Sequence, residues 1–183
     1  MTYKVPVKDI GFNLKEMGLL KQIQKLPAFE EITDDLVDAV IEENSRLVED
    51  VIAPLNVVGD QDHPVCKNGE VTLSKGFKEA LQLFSEGGWQ ALQHEPEFGG
   101  QGFPKLLATV LAENLNAANM AFALCPVLTD GCIEAITQAG TEEQKQRFIP
   151  PMVEGRWTGT MNLTEPQAGS DLALLKSKAV RQD

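Results

Sequence analysis

"MNLTEPQAGSD", Met161–Asp171, marks the place where a helical chain changes character. It gathers Thr, Pro, Gly, Ser and two acids into eleven residues, and only twelve residues follow it. Pro166 fixes a turn, and Gly169 lets the backbone come close to another group. On one side "RWTGTMNL", Arg156–Leu163, has Thr and aromatic content without a helical period and reads as a strand. On the other, "LLKSKAVRQD", residues 174–183, alternates weakly and reads as a second. Thr164 then lies at a strand end, where the chain loses its ladder partners and presents free N–H groups. Donors from Leu163 and Thr164 at one end of the loop, and from Gly169 and Ser170 at the other, suit a flat ring with acceptor edges joined to a pyrophosphate. A bare turn between two strands fits the same spacing.

Upstream the pattern is helical. From Thr33 the apolar residues Leu36, Val37, Val40, Ile41, Leu47, Val48, Val51 and Ile52 recur at helical spacing, with Asp34 and Asp35 in the first turn and Pro54 as the stop. This predicts a helix of about five turns. A second is predicted from an N-cap at Ser74 through Phe77, Leu81 and Phe84 to Gly87 and Gly88. A third opens at Pro104 and carries Leu107, Val110, Leu111, Asn114 and Ala118 on one face; its other faces are also apolar, which places it inside a bundle. Thr129 or Asp130 caps a fourth through Ile133, Ile136 and Ala139, closed by a left-handed Gly140. Thr141 and Gln144 form the capping box of a fifth, which Pro150 and Pro151 break or kink. Leu14, Met17, Leu20, Ile23 and Leu26 space a further helix near the start. Short helices with short connections build a bundle. The expected fold class is therefore mainly α, with an amino-terminal extension over 1–32, a helical domain over 33–156 and the start of a β domain over 157–183.

At 183 residues and 43% hydrophobic content the chain can bury a real core without a metal or disulfide staple. Cys66, Cys125 and Cys132 are odd in number and lack CxxC pairing, which points to reduced thiols and a cytoplasmic setting. The start, "MTYKVPVKDIGFN", has no apolar core of a secretory signal. The longest unbroken apolar run, Met120–Leu128, is nine residues, so no membrane span is expected. A net charge of −11 argues against nucleic acid as a partner but leaves room for a small anion held by backbone N–H groups.

The other motifs read plainly. "EFGGQGFP" lacks the Gly-Lys-Ser/Thr ending of a phosphate loop and reads as a tight turn feeding a helix. His63, beside Asp60 and Asp62, and His94 read as solvated loop residues, and no metal site is expected. The pairs Glu30–Glu31, Glu42–Glu43 and Glu142–Glu143 read as solvated helix faces or dipole partners.

"LTEPQAGSD", Leu163–Asp171, resembles the flavin-binding signature of the acyl-CoA dehydrogenases. "GWQALQHEPEFGGQGFP", Gly88–Pro104, resembles the loop joining two helices of that family's amino-terminal domain. "GTEEQKQRFIPPMVEGRW", Gly140–Trp157, resembles its last helix and the passage into the central β domain. The leader before Thr33 and "PLNVVGDQDH", Pro54–His63, are similar to the branch containing 3-methylmercaptopropionyl-CoA dehydrogenase.

The resemblance implies a helical domain, then a β-barrel, then a carboxy-terminal four-helix domain, of which this chain would hold the first and the opening strands of the second. In the family a carboxylate of the third domain takes the α proton of an acyl-CoA while the β hydride passes to flavin N5, giving the trans-2-enoyl thioester. Electrons then pass to an electron-transferring flavoprotein. Carried over by position, FAD would be bound by Met161, Leu163, Thr164, Gly169 and Ser170. Thr164 would donate to the ring edge, Gly169 and Ser170 would approach the pyrophosphate, and Ser170 would also touch the CoA of the acyl-CoA substrate. An aromatic residue is common where this chain has Met161. Glu165 belongs to the turn and is not the base, so no catalytic residue is expected here and the chain alone is expected to be inactive. Leu111 and Leu115 would help wall the acyl pocket, though they read as core first, because an apolar helix face is usually just that. The full-length enzyme would be a homo-oligomer, dimer or tetramer. A non-enzymatic helical interaction module derived from the same fold is the alternative.

Overall fold

A computed structural model of the chain describes residues 3–182; Met1, Thr2 and Asp183, which bound the expected extension and tail, lie outside the described residues. The leader is not one helix but a strap of short ones. Helix α1 (Val7–Gly11) runs into a π-helical turn at Phe12–Glu16; a left-handed Gly18 (φ 74°) restarts the chain as α2 (Leu19–Ile23). Leu14 and Leu20 are buried as the spacing requires, whereas Met17 and Leu26 face outward because the break at Gly18 changes the helical phase. Val5 and Ile10 join the core, and Lys4 pairs with Glu49 while Lys15 pairs with Asp38.

Thr33 caps α3 (Asp34–Leu47) by accepting the Leu36 N–H at 3.2 Å. The helix does not stop at Pro54. It widens into a π-helical stretch at Val48–Ile52 and continues as α4 (Ala53–Gln61). Pro54 falls in the first turn of α4, where its missing N–H is least costly, and the wider turn before it makes room for the ring. A hairpin that the helical period does not predict follows: β1 (Val65–Lys67) pairs antiparallel with β2 (Glu70–Thr72), placing Cys66 opposite Val71. Asn68 (φ 54°) and Gly69 (φ 83°) make the turn, the dipeptide that most favours a two-residue hairpin.

Helix α5 (Phe77–Glu86) is entered through Gly76 in the left-handed conformation, not through a Ser74 cap. Ser74 is buried, and its carbonyl accepts from Phe77 N at 3.3 Å. The third and fourth expected helices are both present, as two halves of the span α6 (Lys105–Ala139) that meet at a kink where the Asn119 backbone is extended (φ −160°, ψ 89°). Asn119, not Thr129 or Asp130, caps the second half: its Oδ1 accepts from Phe122 N at 3.1 Å. Gly140 is extended (ψ 152°), not left-handed; glycine is needed there because a Cβ would lie 2.6 Å from the Ile136 carbonyl oxygen. By length and composition α6 could cross a bilayer, yet Leu107, Asn114, Asn119, Ala123, Pro126 and Ile133 along it are buried in the protein.

The capping box holds as expected, with Gln144 N bonded to Thr141 Oγ1 and Thr141 N to Gln144 Oε1. Helix α7 (Glu142–Val153) passes through Pro150 and Pro151 rather than breaking at them. Ile149, Met152 and Val153 pack with Ala91, Phe98 and Ile133, and that burial outweighs the two ladder bonds the prolines cannot make. The larger cluster joins the leader, α3, α4, α5, the first half of α6 and the start of its second half at Phe122 and Ala123, with Val37, Val48, Ile52, Phe84 and Leu107 at its centre. Phe84 meets Phe122 edge-on at 5.9 Å between centroids.

The fold is mainly helical, as expected. The segments expected as strands at 156–163 and 174–183 run without a ladder among the described residues; the pairing there is the single bridge Glu165–Ala168. An isolated strand has no partner for its N–H and C=O groups, so it stays open until one is supplied.

Candidate functional site

The tail leaves α7 and is drawn back onto the outer half of α6. Gly159 is buried there: its N–H donates to Thr129 Oγ1 at 3.1 Å, and a Cβ would sit 2.5 Å from Cys132 Cβ. Only glycine allows this approach. Beyond it, Glu165 and Ala168 exchange both backbone bonds (3.1 and 3.0 Å) across Pro166 and Gln167, which closes a tight reversal. Thr164 and Gly169 therefore flank the same pair from opposite sides.

Glu165 is a clamp within the turn. Its carboxylate accepts from Lys176 N at 3.0 Å and Ser177 N at 2.9 Å, and from Gln167 Nε2. The Ser177 side chain is the largest cause, with the two backbone donors next, that holds its carboxyl down to about 2. Asp171 caps the following 3-10 turn, Leu172–Leu174, by accepting from Ala173 N at 3.1 Å.

The sequence-predicted site residues are all on the outside of this reversal. Met161 is 59% exposed and Leu163 41%; Thr164, Gly169 and Ser170 are exposed as well. Among the described residues no hydrogen bond engages the N–H of Leu163, Thr164, Gly169 or Ser170. Gly169 has neither a positive φ nor any atom within 4 Å of where a Cβ would stand. Nothing among the described residues requires glycine at that position.

After its kink, α6 carries an uncovered apolar face: Met120 (61% exposed), Leu124 (51%) and Val127 (42%), at helical spacing. Leu111 and Leu115, expected as core first and as pocket wall second, are core residues, 8% and 3% exposed, and also line a cavity with Phe84, Trp89, Leu92, Pro126 and Val127. They lie on the half of α6 before the bend, turned toward α3 and α5.

Asp130, one turn after Val127, anchors the same half-helix. Its carboxylate accepts from Gln90 Nε2 at 2.6 Å and Gln93 Nε2 at 2.8 Å, and its Oδ1 meets His94 Nε2 at 2.8 Å. His94 is thus not a solvated loop residue; its side chain is 10% exposed. Asp130 and His94 are 36 positions apart, so no local signal joins them. No cluster of potential metal ligands occurs among the described residues.

The Gly99–Pro104 turn does not cradle a phosphate. Its N–H groups are spent internally: Gly100 on Glu95 O, Gln101 on Ala91 O, Gly102 on His94 O and Phe103 on Leu92 O, all at 2.9–3.0 Å. The three cysteines are free thiols, Cys66 exposed and the other two half-buried.

Comparison with known proteins agrees with this architecture. Residues 38–156 match the model of the acyl-CoA dehydrogenase, N-terminal domain. The chain is 43% identical over its whole length to 3-methylmercaptopropionyl-CoA dehydrogenase of Ruegeria pomeroyi, of which it spans 31%. Among solved structures it is similar to butyryl-CoA dehydrogenase from Megasphaera elsdenii (28% identity, TM-score 0.61, 78% of this chain and 35% of that one). It is also similar to a chain from the structure of the electron-transferring flavoprotein of Acidaminococcus fermentans (25% identity, TM-score 0.65, 82% and 37%). With the family model matched over well over half of its residues, the chain belongs to the acyl-CoA dehydrogenase family, of which it carries the amino-terminal helical domain.

Proposed function

We propose that this chain forms the helical wall and the flavin-gripping turn of an FAD-dependent acyl-CoA dehydrogenase. The observation that carries the reading is the reversal at 165–168, which leaves backbone donors on both of its sides without hydrogen-bond partners among the described residues. Four unpaired amides flanking a turn closed by two backbone bonds form a donor set suited to a ring edge and a pyrophosphate. Gly169 supports it: its glycine is unexplained by conformation or packing, as it would be if a ligand approached the backbone there.

In this reading Leu163 and Thr164 present N–H groups, and Thr164 its hydroxyl, to the flavin ring. Gly169 and Ser170 face the pyrophosphate, Ser170 also meets the CoA portion of the substrate, and Met161 lies against the ring. The uncovered face of Met120, Leu124 and Val127 lines the acyl chain and excludes water from it. FAD, when bound, supplies a hydride acceptor for conversion of an acyl-CoA to its trans-2-enoyl-CoA. Glu165 takes no part in proton transfer, because its carboxylate is committed to Lys176, Ser177 and Gln167. The base that removes the α proton comes from protein outside these residues, as does most of the flavin pocket. The chain spans under a third of the Ruegeria relative it matches, and under two fifths of the two solved structures. An electron-transferring flavoprotein is the proposed electron acceptor, and a homo-oligomer the proposed assembly.

The test compares the 183-residue chain with a version extended by the barrel and carboxy-terminal domains of the family. The short chain purifies without a stoichiometric flavin and does not oxidise acyl-CoA; the long one holds about one FAD and does. In the long one Gly169→Ala leaves the apoprotein melting temperature unchanged and weakens FAD binding. A yellow, stoichiometrically loaded short chain, or an extended protein indifferent to Gly169→Ala, counts against the proposal.

A further inference from the structure

We propose that Gly159 is a positioning residue for the cofactor: its seat on α6 fixes the register of the tail, and with it the reach of the turn that presents Leu163, Thr164, Gly169 and Ser170. The inference rests on the dehydrogenase reading above. Gly159 is the only buried residue between Val153 and Ala168. The tail is thus pinned at one point, and that point selects its residue in two ways.

The first is hydrogen bonding. Thr129 is 1% exposed, and its hydroxyl donates to the Cys125 carbonyl at 2.9 Å. With its proton committed inside the helix, Oγ1 can only accept, and it takes the Gly159 N–H at 3.1 Å. The second is space. A Cβ at 159 would lie 2.5 Å from Cys132 Cβ and 3.1 Å from Thr129 Cα. Most residues could meet the first demand; only glycine meets both.

The neighbours in sequence are Thr158 and Thr160, both β-branched. A slip of one residue in either direction would push a branched side chain into a gap too small for a single carbon. Upstream the chain has no slack to take up a slip. Gly155 lies against Ser85, where a Cβ would sit 2.2 Å from Oγ, and the Arg156 and Trp157 N–H groups both donate to the Pro151 carbonyl, at 2.9 and 3.0 Å. Downstream the next glycine is Gly169, on the far side of the reversal. One register satisfies the seat.

The register matters to the donors. A slip of one residue along an extended chain carries the turn about 3.3 Å and sends each side chain to the opposite face. An N–H···O bond tolerates about 0.5 Å, so a slipped tail takes the amides on both sides of 165–168 out of reach of a cofactor held by the rest of the protein. A tail without its pin must be ordered by the flavin as it binds, which weakens binding.

The experiment uses the protein carrying the remaining family domains, as wild type, Gly159→Ala, Cys132→Gly, the double variant and Thr129→Val. FAD dissociation constants are measured on the apoproteins by quenching of flavin fluorescence, with the melting temperature of each apoprotein beside them. Gly159→Ala should weaken FAD binding by about tenfold or more while the apoprotein melts within about 2 °C of wild type. Cys132→Gly alone should bind FAD within about threefold of wild type, and added to Gly159→Ala it should recover about fivefold or more, because the new Cβ loses the atom it strikes. A glycine with a merely structural role would lower the melting temperature in step with affinity, and a second change in α6 would add to the damage rather than repair it. Thr129→Val removes the acceptor and leaves the space; it should weaken FAD by about threefold or more, and it decides the matter should Gly159→Ala fail to fold. Unchanged FAD affinity in Gly159→Ala or in Thr129→Val, a loss that Cys132→Gly does not repair, or a loss matched by the melting temperature overturns the proposal and leaves the dehydrogenase reading standing. A wild-type protein that binds no FAD refutes that reading itself, and this inference with it.

Discussion

Replacing Thr129 by valine isolates the contact that holds the tail to the helical domain. The shape is kept, but the hydroxyl that accepts from Gly159 N at 3.1 Å becomes a methyl group. Thr129 is 1% exposed and Gly159 is buried, so the orphaned N–H has no water to turn to. Such a group costs about 1–3 kcal/mol, or about fivefold to a hundredfold in an equilibrium. The loss is bounded by the free energy of letting the tail go, since a detached Gly159 regains water. The variant should therefore loosen residues beyond Trp157 without unfolding the bundle, whose Ile149, Met152 and Val153 pack independently of the tail. Amide hydrogen exchange reads this directly: Gly159 speeds up by that factor, while Ile149 and the other amides of α7 keep their rates and the melting temperature changes little. Uniform acceleration across α7, or a Gly159 amide as protected as in wild type, would refute the reasoning.

Gly100→Ala places a Cβ 2.0 Å from the His94 carbonyl oxygen and should cost about 3 kcal/mol. Gly99→Ala meets no atom within 4 Å but must hold φ 88°, which costs about 1–2 kcal/mol; urea melts should rank the two in that order, and the reverse order removes the clash argument. The Glu165 carboxyl is held down to about 2 from 4.5, so its contribution to holding the tail is fully present above pH 4.5 and is lost as pH falls toward 2. Its side-chain carboxyl carbon resonance should titrate with a midpoint near 2, and a midpoint near 4.5 would mean that the clamp is not formed in solution.

How much of this was legible depends on how far apart the interacting residues are. The Thr141–Gln144 capping box is local and appears as read; the Thr33 cap is as local and sits where the helical spacing begins. The Asn68–Gly69 turn is equally local, yet a search for helical period alone passes over it. Pro54, Pro150 and Pro151 look like helix stops because local propensity says so; a π-helical bulge in one case and a buried cluster in the other override that preference. The tie from Asn119 to Ile52 and the Asp130 anchor are invisible in sequence because their partners lie 67 and 36 to 40 positions away; the Asn119 cap on Phe122 is local, and a search for apolar period passes over it. The turn at Leu163–Ser170 is recognisable as a motif. Which of its amides are free, and that Gly159 tethers it to α6, follow only from the folded chain.

The most direct test of the central claim is a crystal structure of the FAD-loaded protein with its remaining domains. The account predicts the flavin ring within hydrogen-bonding distance of the Thr164 amide or hydroxyl, and the pyrophosphate within hydrogen-bonding distance of the Ser170 amide. A flavin seated elsewhere, with those groups still facing solvent, would contradict it.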